Sequence, residues 1–143
     1  MTVKELLLAK GKDVVSMESD GTVEDAIRSM NSRKIAAVLV TEGGKPVGIF
    51  TERDVVKGYI QTEGRPFSAV ALKEVMTGDL IVADLGDELA DVASVMVHKN
   101  IRHLPVADKG KIAGMLSIRD VIQTQMGKMT AEIHYLKDYI AGF

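Results

Sequence analysis

The chain has 143 residues, 46% apolar and 27% charged, with a formal net charge of −2. That balance excludes a disordered chain, because there is enough aliphatic material to bury a core and little net charge to oppose it. The absence of cysteine excludes a disulfide scaffold, a thiolate nucleophile and a Cys-ligated metal. Near-neutral charge argues against a nucleic-acid partner, and no apolar run approaches the roughly 18 residues of a membrane span. A soluble, cytoplasmic protein is expected. Aromatics are only 4% and Trp is absent, so the core is expected to be Val, Ile, Leu, Ala and Met.

Thr2 and Glu5 form a capping-box pattern ahead of Leu6 and Leu7 and predict a short N-terminal helix. A short strand is expected around Val14–Ser16. Thr22 and Asp25 then cap a helix whose Val23, Ala26, Ile27 and Met30 share one stripe. Ile35–Thr41 and Pro46–Phe50 flank Glu42-Gly-Gly-Lys45 as a hairpin, and a second helix opens at Thr51. After a linker over residues 61–74 the same order recurs. A strand is expected around Leu80–Val82, and a helix capped by Asp87 carries Leu89, Val92, Ala93 and Met96. A hairpin joins Ile101–Ala107 to Lys111–Leu116, and a last helix opens at Ser117. Its stripe of Met126, Met129, Ile133, Leu136 and Ile140 runs beyond what the repeat needs. It is expected to pack either on its own chain or on a second subunit.

The recurrence is a true internal repeat. Shifted by 66 residues, Val14–Val56 lies without a gap over Leu80–Ile122, and ten of the 43 pairs are identical. They include Asp25/Asp91, Met30/Met96, Gly44/Gly110, Gly48/Gly114, Arg53/Arg119 and Asp54/Asp120. Each unit reads β-α-β-β-α. About 60 residues bury too little surface alone, so an α/β (α+β) fold is expected in which two units pack together about a pseudo-twofold axis. The expected division is residues 1–60, the first repeat with its N-terminal helix; 61–74, linker; 75–125, the second repeat; and 126–143, a helical extension.

The chemistry-bearing match is Gly48-Ile-Phe-Thr-Glu-Arg-Asp54 against Gly114-Met-Leu-Ser-Ile-Arg-Asp120. In both, a strand ends in a hydroxyl residue and a helix begins with Arg-Asp nearby. A helix N-terminus offers free N–H groups and positive partial charge to a phosphate. Thr51 or Ser117 can donate to it, Arg53 or Arg119 can add a cation, and Asp54 or Asp120 can accept from a ribose diol. Gly48 and Gly114 leave room for close backbone approach. Thr-x-x-Asp and Ser-x-x-Asp are also plain capping boxes, but a cap does not require the recurring Arg.

With these motifs the chain resembles a tandem pair of cystathionine-β-synthase (CBS) domains, the Bateman module. Met76-Thr77 ahead of the second unit and Ile101-Arg-His-Leu-Pro-Val106 in its hairpin belong to the same resemblance. It implies adenosine nucleotides (AMP, ADP or ATP) bound between the halves, and pairing into homodimers. Carried over residue by residue, it implies two clefts. One would use Ile49, Thr51, Arg53 and Asp54 with Thr77, Leu80 and Val82. The other would use Met115, Ser117, Arg119 and Asp120 with Val14 and Ser16. Arg102 and His103 would face the phosphate region of either cleft. The first half has Ala36-Ala37 where the second has Arg102-His103, and Gly11 where the second has Thr77, so equal occupancy is not expected.

No nucleophile, general base or metal-ligand spacing stands out, so neither catalysis nor a bound metal is expected. His98 reads as a helix-end surface residue and His134 as solvated. A regulatory module read by an unidentified partner protein leads. A ligand-free dimerisation or interaction module, or a module for another adenosyl ligand such as S-adenosylmethionine or NAD, is the alternative. A small nucleotide hydrolase would need a carboxylate cluster for Mg²⁺, which the sequence does not offer.

Overall fold

The structure is a computed structural model and describes residues 1–141. Its elements run α1 (Val3–Lys10), β1 (Ser16–Glu18), α2 (Val23–Arg33), β2 (Ala37–Glu42), β3 (Lys45–Thr51) and α3 (Glu52–Gln61). A 3₁₀ turn (Phe67–Ala69) and α4 (Leu72–Val75) lead into β4 (Ala83–Asp84), α5 (Leu89–His98), β5 (His103–Asp108), β6 (Lys111–Ser117) and α6 (Ile118–Ala141). The helical extension expected over 126–143 is the far part of α6, and its final two residues lie outside the described residues.

The 66-residue offset is reproduced in the hydrogen-bond register. The strands form two three-stranded sheets, ordered β1-β2-β3 and β4-β5-β6. Met17 pairs with Val40 in parallel, as Ala83 pairs with Val106. Ala37 pairs with Thr51 in antiparallel fashion, as His103 pairs with Ser117. Both hairpins shift register at the same place, between Val40 and Thr41 and between Val106 and Ala107. Both turn through two positive-φ residues, Gly43 and Gly44 (58° and 81°) or Lys109 and Gly110 (52° and 80°), the conformation whose twist matches a hairpin.

Each repeat closes its own apolar core. Val23, Ala26, Met30, Val38, Val40 and Phe50 build one; Leu89, Val92, Met96, Leu104, Val106 and Leu116 build the other. The flanking helices are exchanged. Val3, Leu6 and Leu7 of α1 pack into the second core, whereas Leu72 and Val75 of α4 pack into the first. Chain order had grouped α1 with the first repeat. Backbone hydrogen bonds from Val3 to Asp87, from Lys4 to Leu85 and from Leu89 to Met1 fix it to the second instead. The segment between α1 and β1 then crosses back, much as Met76–Val82 crosses from α4 to β4.

Three local expectations shift. The first strands begin later, at Ser16 and Ala83 rather than Val14 and Leu80; Leu39 N–H still donates to the Val15 carbonyl, but Pro105, its counterpart in β5, has no N–H to extend the second ladder. Asp87 does not cap α5, whose N-cap is Glu88 without a side-chain bond. Its carboxylate accepts from the Asp84 N–H in the preceding turn. The stripe of Met126, Met129, Ile133, Leu136 and Ile140 is exposed along α6 and does not fold back onto its own chain.

Candidate functional site

The end of β3 and the start of α3 meet the second repeat across a cleft of about 260 Å³. Ile49, Thr51, Arg53, Asp54 and Thr77 line it from one side, and residues 99–103 face them. Seven of the residues assigned to ligand contact from sequence thus share one cavity: those five, Arg102 and His103.

Asp54 is the pivot. It is only 2% exposed, and its charge is satisfied by hydrogen bonds. Oδ2 accepts from the Thr51 backbone N–H (3.0 Å) and hydroxyl (3.3 Å), and Oδ1 accepts from the Thr77 hydroxyl (3.1 Å). Thr51 therefore caps α3 through Asp54, and its hydroxyl donates inward to that carboxylate. Ile49 and Thr77 exchange backbone hydrogen bonds at 2.9 Å in both directions. Gly48 makes that crossing possible: a Cβ there would lie 2.8 Å from the Thr77 carbonyl oxygen and 2.7 Å from Met76 Sδ. The close approach foreseen at Gly48 is to the chain's own backbone.

The cleft is rich in cations. Arg53, Lys57, Lys99 and Arg102 line it, against Glu52 and Asp54. Arg53 Nη1 donates to the Asn100 carbonyl (3.0 Å) at the end of α5, where a helix presents partial negative charge. This bond ties the two repeats together and leaves the other guanidinium donors of Arg53 for a ligand. Lys57 and Lys99 were not singled out from sequence. Lys57 lies one turn beyond Arg53 on α3, a spacing that places both on one helix face. Burial, its largest influence, pushes the His103 imidazolium below its usual pKa; Glu52 opposes this, Lys10 adds to it, and Asp120 and Arg102 act more weakly. His103 thus stands between the two halves of the site.

The second set of residues is not gathered in the same way. Asp120 and Ser117 make the reciprocal capping box that Thr51 and Asp54 only half make, at 3.2 Å and 3.1 Å. Lys10, from the last turn of α1, donates to the Asp120 carboxylate and to the Met115 carbonyl. Burial raises the Asp120 pKa, but hydrogen bonds from Lys10 and Ser117 outweigh it and hold the carboxyl below its ordinary value. Arg119 lies in a different groove, beside Lys34, Ile35, Ala36 and Glu52. Of the remaining residues, Val14 is half-buried and Ser16 is exposed on β1. Val82 faces a separate apolar groove with Val92, Val95 and Leu104, and Leu80 is half-buried in the crossing segment. Among the described residues, no three His, Asp or Glu side chains gather as a metal site, and no helix is long and apolar enough to cross a membrane.

The CBS domain profile matches residues 3–60 and again 72–127. The chain belongs to the CBS-domain family. The Arabidopsis thaliana CBS domain-containing protein CBSX3, mitochondrial, is 32% identical over 99% of this chain and 72% of its own length. A CBS-domain containing protein from Agrobacterium tumefaciens superposes with a TM-score of 0.82 at 33% identity, covering 87% of this chain and 99% of that one. The CBS domain pair of protein MJ0100, solved in complex with 5′-methylthioadenosine and S-adenosyl-L-methionine, superposes with a TM-score of 0.77 at 25% identity, covering 90% and 98%. This chain is thus a CBS-domain pair with the two-repeat α/β fold expected from its sequence.

Proposed function

We propose that this CBS pair is a regulatory module that binds adenosine nucleotides (AMP, ADP or ATP) between its repeats and signals through their relative position or through assembly. The observation that carries this reading is the first cleft: a hydroxyl-lined carboxylate, Asp54, at one end and Arg53, Lys57, Lys99 and Arg102 along the walls. The carboxylate can accept from a ribose diol in place of the Thr77 hydroxyl, one neutral donor exchanged for another. The cations suit phosphate. They disfavour a sulfonium ligand, which brings positive charge of its own. Binding acts by mass action on the folded form.

Thermal denaturation with added ATP, ADP, AMP, S-adenosylmethionine or NAD tests this. A nucleotide at 100 times its Kd stabilises the folded chain by about 2.7 kcal/mol. Stabilisation by S-adenosylmethionine in preference to the nucleotides would replace the reading with an adenosyl sensor, and no shift with any of the five would refute both.

We also propose that two copies pair through α3 and α6. Val56 and Ile122, and Ile60 and Met126, are exposed apolar residues at equivalent places in the repeats. Exposed apolar residues at matched places on two helices mark an association surface. Light scattering on the intact chain is expected to give twice the chain mass, and Ile60→Glu to return it to one chain. A single-chain mass for the unmodified protein refutes pairing.

A further inference from the structure

The two clefts share a register but not an occupant. In the first, the carboxylate end is closed by Thr77, whose hydroxyl and backbone meet Asp54 and Ile49. In the second, the equivalent groups are Asp120 and Met115, and a single ammonium, that of Lys10, meets both. The Lys10 Nζ lies 2.7 Å from the Met115 carbonyl oxygen. Lys10 is delivered by a well-anchored helix. Val3, Leu6 and Leu7 are buried in the second core, and Leu7 fills the space that a Cβ on Gly114 would need. The helix stops immediately after Lys10, at Gly11, whose φ of 102° suits glycine.

We propose that Lys10 is the specificity-determining residue of the pair: it fills the ribose position of the second cleft, so the chain takes nucleotide in the first cleft alone. This rests on the nucleotide reading given above. The physical difference lies in what a ribose must displace. At Asp54 a diol replaces a neutral hydroxyl with hydroxyls. At Asp120 it would have to replace a charge-assisted bond with a neutral one, and would separate the Lys10 ammonium from the Met115 carbonyl.

Calorimetric titration of ATP into the full chain and into Lys10→Met tests the proposal. The expected result is one nucleotide per chain for the unmodified protein and two for Lys10→Met. Two equal sites in the unmodified chain, or one site in both proteins, would overturn it. A ligand-free measurement keeps the two readings apart: a double-mutant cycle on unfolding with Lys10→Met and Asp120→Asn. A coupling of about two- to fivefold in the unfolding constant, the range of partly exposed ion pairs, establishes the Lys10 contact. Strict additivity removes it, and the proposal with it. If the coupling is present but neither protein binds any adenosine nucleotide, the nucleotide reading fails, and with it the assignment of Lys10 as a determinant of nucleotide occupancy.

Discussion

The two ends at which strand passes into helix, Thr51–Asp54 and Ser117–Asp120, differ more in their surroundings than in their sequence. Both keep hydroxyl-x-Arg-Asp. At the first, the carboxylate is sealed under two threonine hydroxyls and faces a cationic cleft. At the second it is partly exposed and paired with Lys10 from a helix borrowed from the other end of the chain. A duplicated motif therefore specifies a shared local geometry, and the exchanged helices α1 and α4 decide what each copy can do. α1 is two turns long and ends in a lysine; α4 is a single turn followed by Met76-Thr77.

The contrast can be broken most strongly at the carboxylates. Asp54→Ala removes a buried carboxylate that accepts from the Thr51 N–H and from the Thr51 and Thr77 hydroxyls, and is expected to cost about 2–3 kcal/mol of stability by chemical denaturation. Asp120→Ala removes an ion pair that water partly reaches, and is expected to cost about 1 kcal/mol or less. Equal losses would show that the burial difference has no energetic meaning.

A smaller contrast is expected at the glycines. A Cβ at position 48 meets the Thr77 carbonyl oxygen, which is fixed backbone, whereas at position 114 it meets Leu7 Cδ1, the end of a side chain that can turn aside. Gly48→Ala should therefore cost about 2 kcal/mol and Gly114→Ala about 1 kcal/mol, compared by urea midpoints. A larger loss at Gly114 would contradict the exchanged-helix account.

How much of this could be read from sequence follows from the kind of information each feature needs. The repeat was legible because register, turn and core positions all recur at one offset: Met30/Met96 and Gly44/Gly110 mark it. The first cleft was legible because Thr51, Asp54 and Thr77 belong to recognisable motifs. Two things were hidden. A capped helix with Leu6 and Leu7 on one face states that it will pack but not on which core, so the exchange of α1 and α4 had no local signal. Lys10 stands in sequence as an ordinary cation in the last turn of a helix, and its meeting with Asp120 depends wholly on that exchange. Leu80-Ile81-Val82 misled for a related reason. An apolar run resembles a strand, but the ladder begins only at Ala83, because Pro105 opposite Val82 has no N–H to donate.

The smallest expected effect is on pH dependence. Burial lowers the pKa of His103 in the folded chain, while in the unfolded chain it titrates near about 6.5. Its contribution to stability is thus complete above that value and is lost as the pH falls below it, where the unfolded chain takes up the proton more readily. Stability should decline from pH 7 to pH 5, and His103→Gln should flatten the decline. An unchanged slope would show that His103 is not the group responsible.

The unequal clefts are tested most directly by ATP stoichiometry in matched carboxylate variants, with folding checked by circular dichroism. The account predicts one nucleotide per chain, lost in Asp54→Asn and retained at unchanged affinity in Asp120→Asn. Loss of the site in Asp120→Asn with retention in Asp54→Asn, or two equivalent sites in the unmodified chain, would contradict it.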